Sequence, residues 1–219
     1  MSYPIPTTDE IKSIYTGIEA LPGLAVDITG WNSTGPIFAE VINRIRPTVE
    51  IEVGSWKGAS AIHAANLTRA LGLDTRIYCV DLWVPPIGVG LGEFPRTHIP
   101  ERFDAPTFYH QFLFNVAHAK CDDRIIPVRG LTVPIAACLG AWGVVADMIY
   151  IDALHTEEGC YADIAAYWPL LRKGGVMLGD DFSSHVGVRR AVQRFSAQVG
   201  RAIREMPAAE GTQWLLDPK

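Results

Sequence analysis

The sequence predicts an α/β fold: a doubly wound, mostly parallel sheet of seven strands with an antiparallel hairpin at one edge. Two observations support this class. From residue 48 onward, short runs rich in valine and isoleucine alternate with longer segments of helical period, the pattern of a parallel sheet covered by helices on both faces. The last two runs follow one another without room for a helix, so they are predicted to pair antiparallel.

Seven runs account for the strands of this sheet. In chain order they read TVEIEVG, RIYCVDLW, RIIPVRG, ADMIYID, GVMLGDD, AIREMP and TQWLLD. The fourth and fifth bear most on function, because each is an apolar run that ends in aspartate. Consecutive strands of a doubly wound sheet are usually neighbours, so these two ends are expected at the same rim.

Two segments outside the strands are candidates for substrate contact. Residues 1–47 are predicted to form a helical cap, with helices from Thr8 to Leu21 and from Gly35 to Ile45, ahead of a sheet domain at residues 48–219. Residues 84–105 are rich in proline and glycine and too long for an ordinary connection. They are predicted to be a lid or a substrate loop.

Composition limits the function classes. The chain has 219 residues, 48% of them hydrophobic, which suits a single compact domain. A net charge of -5 gives no electrostatic reason to bind nucleic acid or an anionic membrane. Neither a signal-peptide pattern nor an apolar run of membrane-spanning length is found, which predicts a cytoplasmic location. The four cysteines form no CxxC pair, so neither a zinc knuckle nor a redox motif is indicated.

The end of the first strand reads EIEVGSWKGAS and predicts a ligand loop. A dinucleotide loop is disfavoured, because Trp56 stands where its second glycine would be. A P-loop is disfavoured too, because only three residues separate the glycines and alanine follows the second one. The pattern that remains is E-x-G-x-x-x-G-x-S, formed by Glu52, Gly54, Gly58 and Ser60.

Asp81 closes the second strand and supports a nucleoside ligand. A carboxylate at that place can accept hydrogen bonds from both hydroxyls of a ribose. NAD enzymes use the same arrangement, so Asp81 indicates adenosine and no more. The alternative is an aspartate at a strand end that faces solvent.

Three carboxylates are expected to converge at the rim, from Asp152 on the fourth strand and Asp180 and Asp181 on the fifth. Like charges so close would raise at least one pKa and cost stability, and a divalent cation removes that conflict. All-oxygen ligands favour a hard ion, with magnesium first and manganese or calcium as alternatives. The competing interpretation is that Asp152 and Asp181 cap the helices that follow them. It does not account for all three carboxylates.

His155 follows Asp152 by three residues, at the rim where substrates bind in such sheets. This position makes it a candidate general base, whereas a lone histidine without a catalytic role is the alternative. The remaining histidines have no such context: His63, His98, His110, His118 and His185.

From residue 49 to about residue 195, the sequence resembles the divalent-metal-dependent O-methyltransferases of the catechol and macrolide-sugar types. The resemblance rests on the E-x-G-x-x-x-G-x-S spacing, the strand-end Asp81 and the carboxylates that follow. It implies a Rossmann-like methyltransferase fold and S-adenosylmethionine as cofactor. The cofactor-binding residues that it implies are Glu52, Gly54, Ser55, Gly58, Ser60, Asp81, Gly130, Thr132 and Asp152.

The resemblance also implies the catalytic residues. Asp152, Asp180 and Asp181 would hold the metal, and Asp152 would also contact the methionine amino group. The sugar type reads IDG-H, with its histidine as base; this chain reads ID-LH, with Ala153 in the usual glycine place. His155 therefore points to the sugar-like branch, since the catechol type uses a lysine at another position.

The expected activity is methyl transfer from S-adenosylmethionine to a hydroxyl of a small, polyhydroxylated molecule, with a divalent cation and His155 as base. One alternative is a metal-independent methyltransferase that acts on a nitrogen or a carboxylate. A second is a noncatalytic or hydroxylase-like relative that binds an adenosyl ligand, and an NAD-dependent oxidoreductase comes third. The sequence leaves the acceptor and the oligomeric state open, and apolar residues of the N-terminal segment would suit a homo-oligomer.

Overall fold

The computed structural model describes residues 5–84 and 107–219. The segment predicted as a lid or substrate loop, residues 84–105, falls outside them apart from its first residue. The described residues contain seven strands, and all seven predicted runs form them. The strands are β1 (Val49–Val53), β2 (Arg76–Asp81), β3 (Ile125–Arg129), β4 (Ala146–Ile151), β5 (Leu171–Gly179), β6 (Ile203–Pro207) and β7 (Thr212–Leu216).

The strands form one mixed sheet in the order β3-β2-β1-β4-β5-β7-β6. The first five are parallel to one another, and β7 is antiparallel to both β5 and β6. The predicted doubly wound, mostly parallel sheet with an antiparallel edge hairpin is therefore confirmed. The chain runs outward from β1 to β3 on one side and from β4 to β6 on the other, which places the change of direction between β1 and β4.

Helices cover both faces of this sheet. They are α1 (Thr8–Ile14), α2 (Pro36–Ile45), α3 (Ala59–Ala70), α4 (Phe108–His118), α5 (Thr132–Ala141), α6 (Glu157–Tyr167) and α7 (Val186–Val199), with short 3-10 helices at Ile18–Ala20 and Trp168–Leu170. Among the described residues, no helix combines the length and the hydrophobicity needed to cross a lipid bilayer.

One predicted helix boundary was wrong, and one strand is irregular. The helix expected from Thr8 to Leu21 ends at Ile14, because Gly17 has φ +82°, a left-handed conformation that an α-helix cannot continue through. Gly174 and Gly175 lie within β5. There the pairing with β4 shifts between Ala146 and Met148, so the glycines form a bulge in the strand.

The N-terminal helices pack into the core. Four apolar residues of α2, among them Phe38, are buried, and the ring of Phe38 lies 4.8 Å from that of Tyr150 on β4. From the turn after α1, the hydroxyl of Tyr15 donates a hydrogen bond to the carbonyl of Ile125 on β3. Between these helices, Ala25 and Asp27 contact α4, and Asn32 reaches Asp180 at the carboxyl end of β5.

Candidate active site

The carboxyl ends of β1 and β4 form the crevice where doubly wound sheets bind ligands. The amide of Asp152 donates to the carbonyl of Val53 at 2.8 Å, which joins the two strand ends. Gly54 adopts φ +90°, and a Cβ there would lie 2.1 Å from the carbonyl oxygen of Asp152. Only glycine allows this close approach, which explains the first glycine of the motif.

The loop after β1 makes a tight turn into α3. The amide of Gly58 donates to the carbonyl of Ser55 at 2.7 Å, and the amide of Ile62 donates to the carbonyl of Gly58 as the helix begins. Gly58 has φ +88°, and a Cβ there would press on the ring of Phe112 at 3.1 Å. The two glycines therefore hold the loop against the sheet, so that the amino end of α3 faces the crevice.

Glu52 and the hydroxyls around it are buried beneath this loop. Burial raises the pKa of Glu52 to about 8, although the neighbouring hydroxyls of Ser55 and Ser60 oppose the shift. Within residues 5–84 and 107–219, neither carboxylate oxygen of Glu52 nor the hydroxyl of Ser55 has a hydrogen-bond partner of good geometry. Glu50, two residues earlier on the same strand, is buried and unpaired in the same way. Orphaned polar groups at the loop leave hydrogen-bonding capacity for a polar ligand.

Asp81 connects the ligand loop to the end of β2. Its carboxylate accepts hydrogen bonds from the amides of Trp56 at 2.9 Å and Trp83 at 2.7 Å. Desolvation raises the pKa of Asp81 although these backbone hydrogen bonds oppose the shift. Each carboxylate oxygen keeps a lone pair beyond these bonds, so Asp81 can still receive ribose hydroxyls.

Gly130 and Thr132 lie at the carboxyl end of β3, beside Asp81. The amide of Gly130 donates to the carbonyl of Asp81 at 3.0 Å, which places the turn after β3 at the crevice. The hydroxyl of Thr132 instead donates to Asp163 on α6 at 2.5 Å. Between them Leu131 is 61% exposed. An exposed apolar side chain therefore stands at this turn, while the hydroxyl of Thr132 is engaged by Asp163.

Asp152 and Asp180 face each other across one small pocket, with His155 and Asp181 in the same lining. Burial together with the charges of Asp180 and Asp181 raises the pKa of Asp152 well above its usual range. Burial also raises the pKa of Asp180 to about 6. The predicted convergence of three carboxylates, with the conflict of charge that it implies, is present in the structure.

Asp181 lies between two histidines, although Nδ1 of His185 has no hydrogen-bond partner of good geometry within the described residues. Nε2 of His155 lies 3.0 Å from Oδ2 of Asp181, and Nδ1 of His185 lies 3.2 Å from Oδ1. The hydroxyl of Ser184 donates to Oδ1 at 2.7 Å. Desolvation acts against ionisation, but the hydrogen bonds from His155 and Ser184 lower the pKa of Asp181 to about 2. Asp181 is therefore ionised and orients the imidazole of His155.

The comparisons with known proteins bear on this geometry. A family model described as a methyltransferase domain matches residues 51–182, well over half of the chain. The chain belongs to this methyltransferase family. The predicted class of enzyme is thereby confirmed. No curated protein matches the sequence of this methyltransferase at a significant level.

Solved structures of other methyltransferases share the fold. The methyltransferase is similar to the O-methyltransferase from Bacillus cereus in complex with SAH, at 18% identity and TM-score 0.60, over 98% of this chain and 93% of that one. It is similar to a putative caffeoyl-CoA O-methyltransferase from Staphylococcus aureus, at 14% identity and TM-score 0.62, over 97% and 93%. It also resembles TomG from Streptomyces achromogenes in complex with SAM, at 16% identity and TM-score 0.60, over 96% and 91%. The fold is that of class I S-adenosylmethionine-dependent O-methyltransferases.

The pocket lined by Asp152, Asp180 and Asp181 is called the acid pocket below. A cleft of about 430 Å³ opens beside it. One wall is the N-terminal segment, where Trp31 is 57% exposed and Ile28 is 40% exposed. The other wall contains Glu210 from the turn between β6 and β7. The side chain of Asn32 lies between the cleft and the acid pocket. Its Nδ2 donates hydrogen bonds to Oδ1 of Asp180 at 3.1 Å and to the backbone carbonyl of Glu210 at 2.8 Å.

Sequence reasoning missed two residues of this site. His185 was set aside with the other histidines, yet its ring centroid lies 4.3 Å from that of His155. Its spacing of four residues from Asp181 was the available signal, since the carboxylate and the imidazole meet across the start of α7. Asn32 gave no signal, because it reaches Asp180 from 148 residues away in the sequence.

Proposed function

We propose that this methyltransferase transfers the methyl group of S-adenosylmethionine to a hydroxyl of a small polyhydroxylated molecule, with a divalent cation and with His155 as base. The observation that carries the proposal is the meeting of three features at the switch point between β1 and β4. These are a glycine loop under which polar groups lack partners, an acid pair with raised pKa values, and a histidine oriented by Asp181.

The crevice suits S-adenosylmethionine. Asp81 is placed to receive the ribose, and exposed Leu131 would lie against the adenine ring. The partnerless groups of Glu52 and Ser55 leave polar capacity beneath the loop. Solved structures of similar fold contain SAH in the Bacillus cereus enzyme and SAM in TomG, which supports the same cofactor here.

The acid pocket fits a hard divalent cation. Asp152, Asp180 and Asp181 would hold it, because all three carboxylates line the same pocket. The charges of Asp180 and Asp181 help to raise the pKa of Asp152, and the charge of Asp181 helps to raise the pKa of Asp180. A cation bound there would lower the pKa of an acceptor hydroxyl by several units. Oxygen ligands favour magnesium for this role.

His155 supplies the proton acceptor. An imidazole that shares its Nε2 proton with Asp181 presents Nδ1 as the basic nitrogen. Asp181 also stabilises the imidazolium that forms when the acceptor hydroxyl loses its proton. In this arrangement the base and the acid pocket are coupled through one carboxylate.

The cleft between residues 28–36 and the turn after β6 is the proposed acceptor site. Its lining mixes the apolar faces of Ile28, Trp31 and Pro36 with the polar groups of Thr34 and Glu210. Such a mixture suits a ring that carries hydroxyls on an apolar frame. The predicted cap segment then acts as one wall of the acceptor site.

Methyl transfer from labelled S-adenosylmethionine to a panel of sugars and other vicinal diols tests the proposal. With magnesium we expect label in an ether oxygen of at least one acceptor. Chelation of the cation should reduce the rate at least about 100-fold, because the hydroxyl is then a weak nucleophile, and added magnesium should restore it. Transfer that is insensitive to chelator, or that labels a nitrogen or a carboxylate, would contradict the proposed mechanism and favour the metal-independent alternative.

A further inference from the structure

We infer that His155, Asp181 and His185 form a second ion site, selective for zinc and related first-row ions, whose occupation inhibits the enzyme. The inference extends the proposed function, because inhibition requires that His155 acts as the base. The binding itself does not depend on any methyl transfer.

The three side chains have the geometry of a metal centre. One ligand atom from each lies within 4.8 Å of the other two. The shortest contacts, 3.0 Å from His155 and 3.2 Å from His185, are made to different oxygens of Asp181. Zinc bonds of 2.0 to 2.2 Å in a tetrahedral site place ligand atoms about 3.4 Å from one another. Small side-chain rotations therefore suffice to admit an ion.

The backbone fixes this arrangement. The turn that carries His155 packs against the start of α7, and a Cβ on Gly187 would lie only 2.3 Å from the carbonyl oxygen of His155. The amide of His185 donates to the carbonyl of Asp181 at 3.0 Å. Both histidines are thus held beside Asp181 by main-chain contacts, and this preorganisation favours ion binding.

The donor set differs from that of the acid pocket. Two imidazoles and one carboxylate match zinc sites that have three protein ligands and an open position, whereas magnesium and calcium prefer oxygen ligands throughout. Each histidine side chain is 44% exposed, and Nδ1 of His185, although buried, has no hydrogen-bond partner within the described residues, which leaves its lone pair for an ion. Because Asp181 belongs to both sets, the two ions compete for one carboxylate.

Zinc at this site would remove the base. An ion bound through Nε2 of His155 leaves the ring proton on Nδ1, so that nitrogen can no longer accept a proton from the acceptor hydroxyl. The enzyme would then be activated by magnesium and inhibited by zinc, although both ions bind within the same rim.

Calorimetric titration with zinc chloride, without cofactor or acceptor, tests the site directly. We expect the wild-type protein to bind one zinc ion, and His155→Ala and His185→Ala each to weaken binding at least about tenfold. His185→Gln provides a second variant if the alanine change disturbs folding, and cobalt absorption spectra report the ligand set independently. The matched control is His118→Ala, which removes an exposed histidine of α4 and should bind zinc as the wild type does.

Three outcomes would overturn the inference: wild-type protein that binds no zinc, unchanged affinity in His185→Ala, or a larger loss in Asp152→Asn than in either histidine variant. The inhibitory consequence is tested on the magnesium-supported reaction, which zinc should slow in the wild type and slow at least about tenfold less effectively in His185→Ala. Zinc binding without methyl transfer would contradict the proposed function alone, and methyl transfer without zinc binding would contradict this inference alone.

Discussion

Replacement of Asp152 by asparagine is expected to reduce methyl transfer on the order of 10³-fold and to stabilise the metal-free protein. The activity falls because the acid pocket loses a charged ligand for the cation, and the several kcal/mol of activation that a metal supplies are lost with it. The stability rises because the pKa of Asp152 is raised by burial and by the charges of Asp180 and Asp181. An uncharged side chain of the same shape removes that conflict.

The sign of the stability effect follows from proton binding. Asp180, with its pKa raised to about 6 from 3.8, holds more protons in the folded chain than in the unfolded chain between those values. Stability of the metal-free protein should therefore fall as pH rises from about 4 to 6, and the fall should be smaller in Asp152→Asn. Rates with magnesium and melting temperatures with chelator measure the two effects.

Asp217→Asn is the matched control, because Asp217 is an exposed aspartate beyond β7. It should change neither the rate nor the pH dependence of melting. Activity of Asp152→Asn within tenfold of the wild type would contradict the role of the acid pocket. A lower melting temperature in chelator would contradict the conflict of charge between Asp152 and Asp180.

Replacement of His155 by alanine is expected to slow the magnesium-supported reaction by about 10² to 10⁴-fold, the usual contribution of a positioned base. The loss should lie mainly in kcat, because the imidazole takes a proton in the transition state and does not hold the cofactor. The reduction should hold at every pH at which the wild type is active. Steady-state kinetics between pH 5 and 9 provide the measurement.

His118→Ala again serves as the control and should keep the wild-type rate across this pH range. A His155→Ala enzyme whose kcat lies within tenfold of the wild-type value would show that another group takes the proton. A change confined to KM would assign His155 to acceptor binding and contradict its role as base.

The sheet could be predicted because its physics is local. β4 is buried along its whole length and, apart from Asp147, reads as an apolar run, so that Asp152 stands where the run stops. β1 is equally buried, and its valines and isoleucine alternate with Glu50 and Glu52 before the glycine of the loop. The glycines could be predicted for a similar reason, since Gly54 needs a positive φ and a close approach to Asp152. At strand ends and glycine turns the sequence changes from apolar residues to polar residues or glycine, so these positions can be recognised without a structure.

The remainder of the site depends on contacts that leave no periodic trace. Asn32 binds Asp180 from the N-terminal segment, and nothing in the surrounding residues indicates that partner. Thr132 follows β3 as expected, but its hydroxyl turns to Asp163 because α5 packs beside α6. The role of His185 required the geometry at the start of α7. Long-range packing decides all three, and the hydrophobic pattern of a single chain does not report it.

Calorimetric titration of the purified protein with S-adenosylhomocysteine, with magnesium and with chelator, tests the central claim most directly, with NAD as the control ligand. The crevice between β1 and β4 predicts micromolar binding of S-adenosylhomocysteine under both conditions, since its loop and Asp81 do not depend on the cation, and no binding of NAD, since Trp56 occupies the place of the second glycine of a dinucleotide loop. Absence of binding under both conditions, or binding of NAD with equal affinity, would contradict the assignment of the crevice to S-adenosylmethionine.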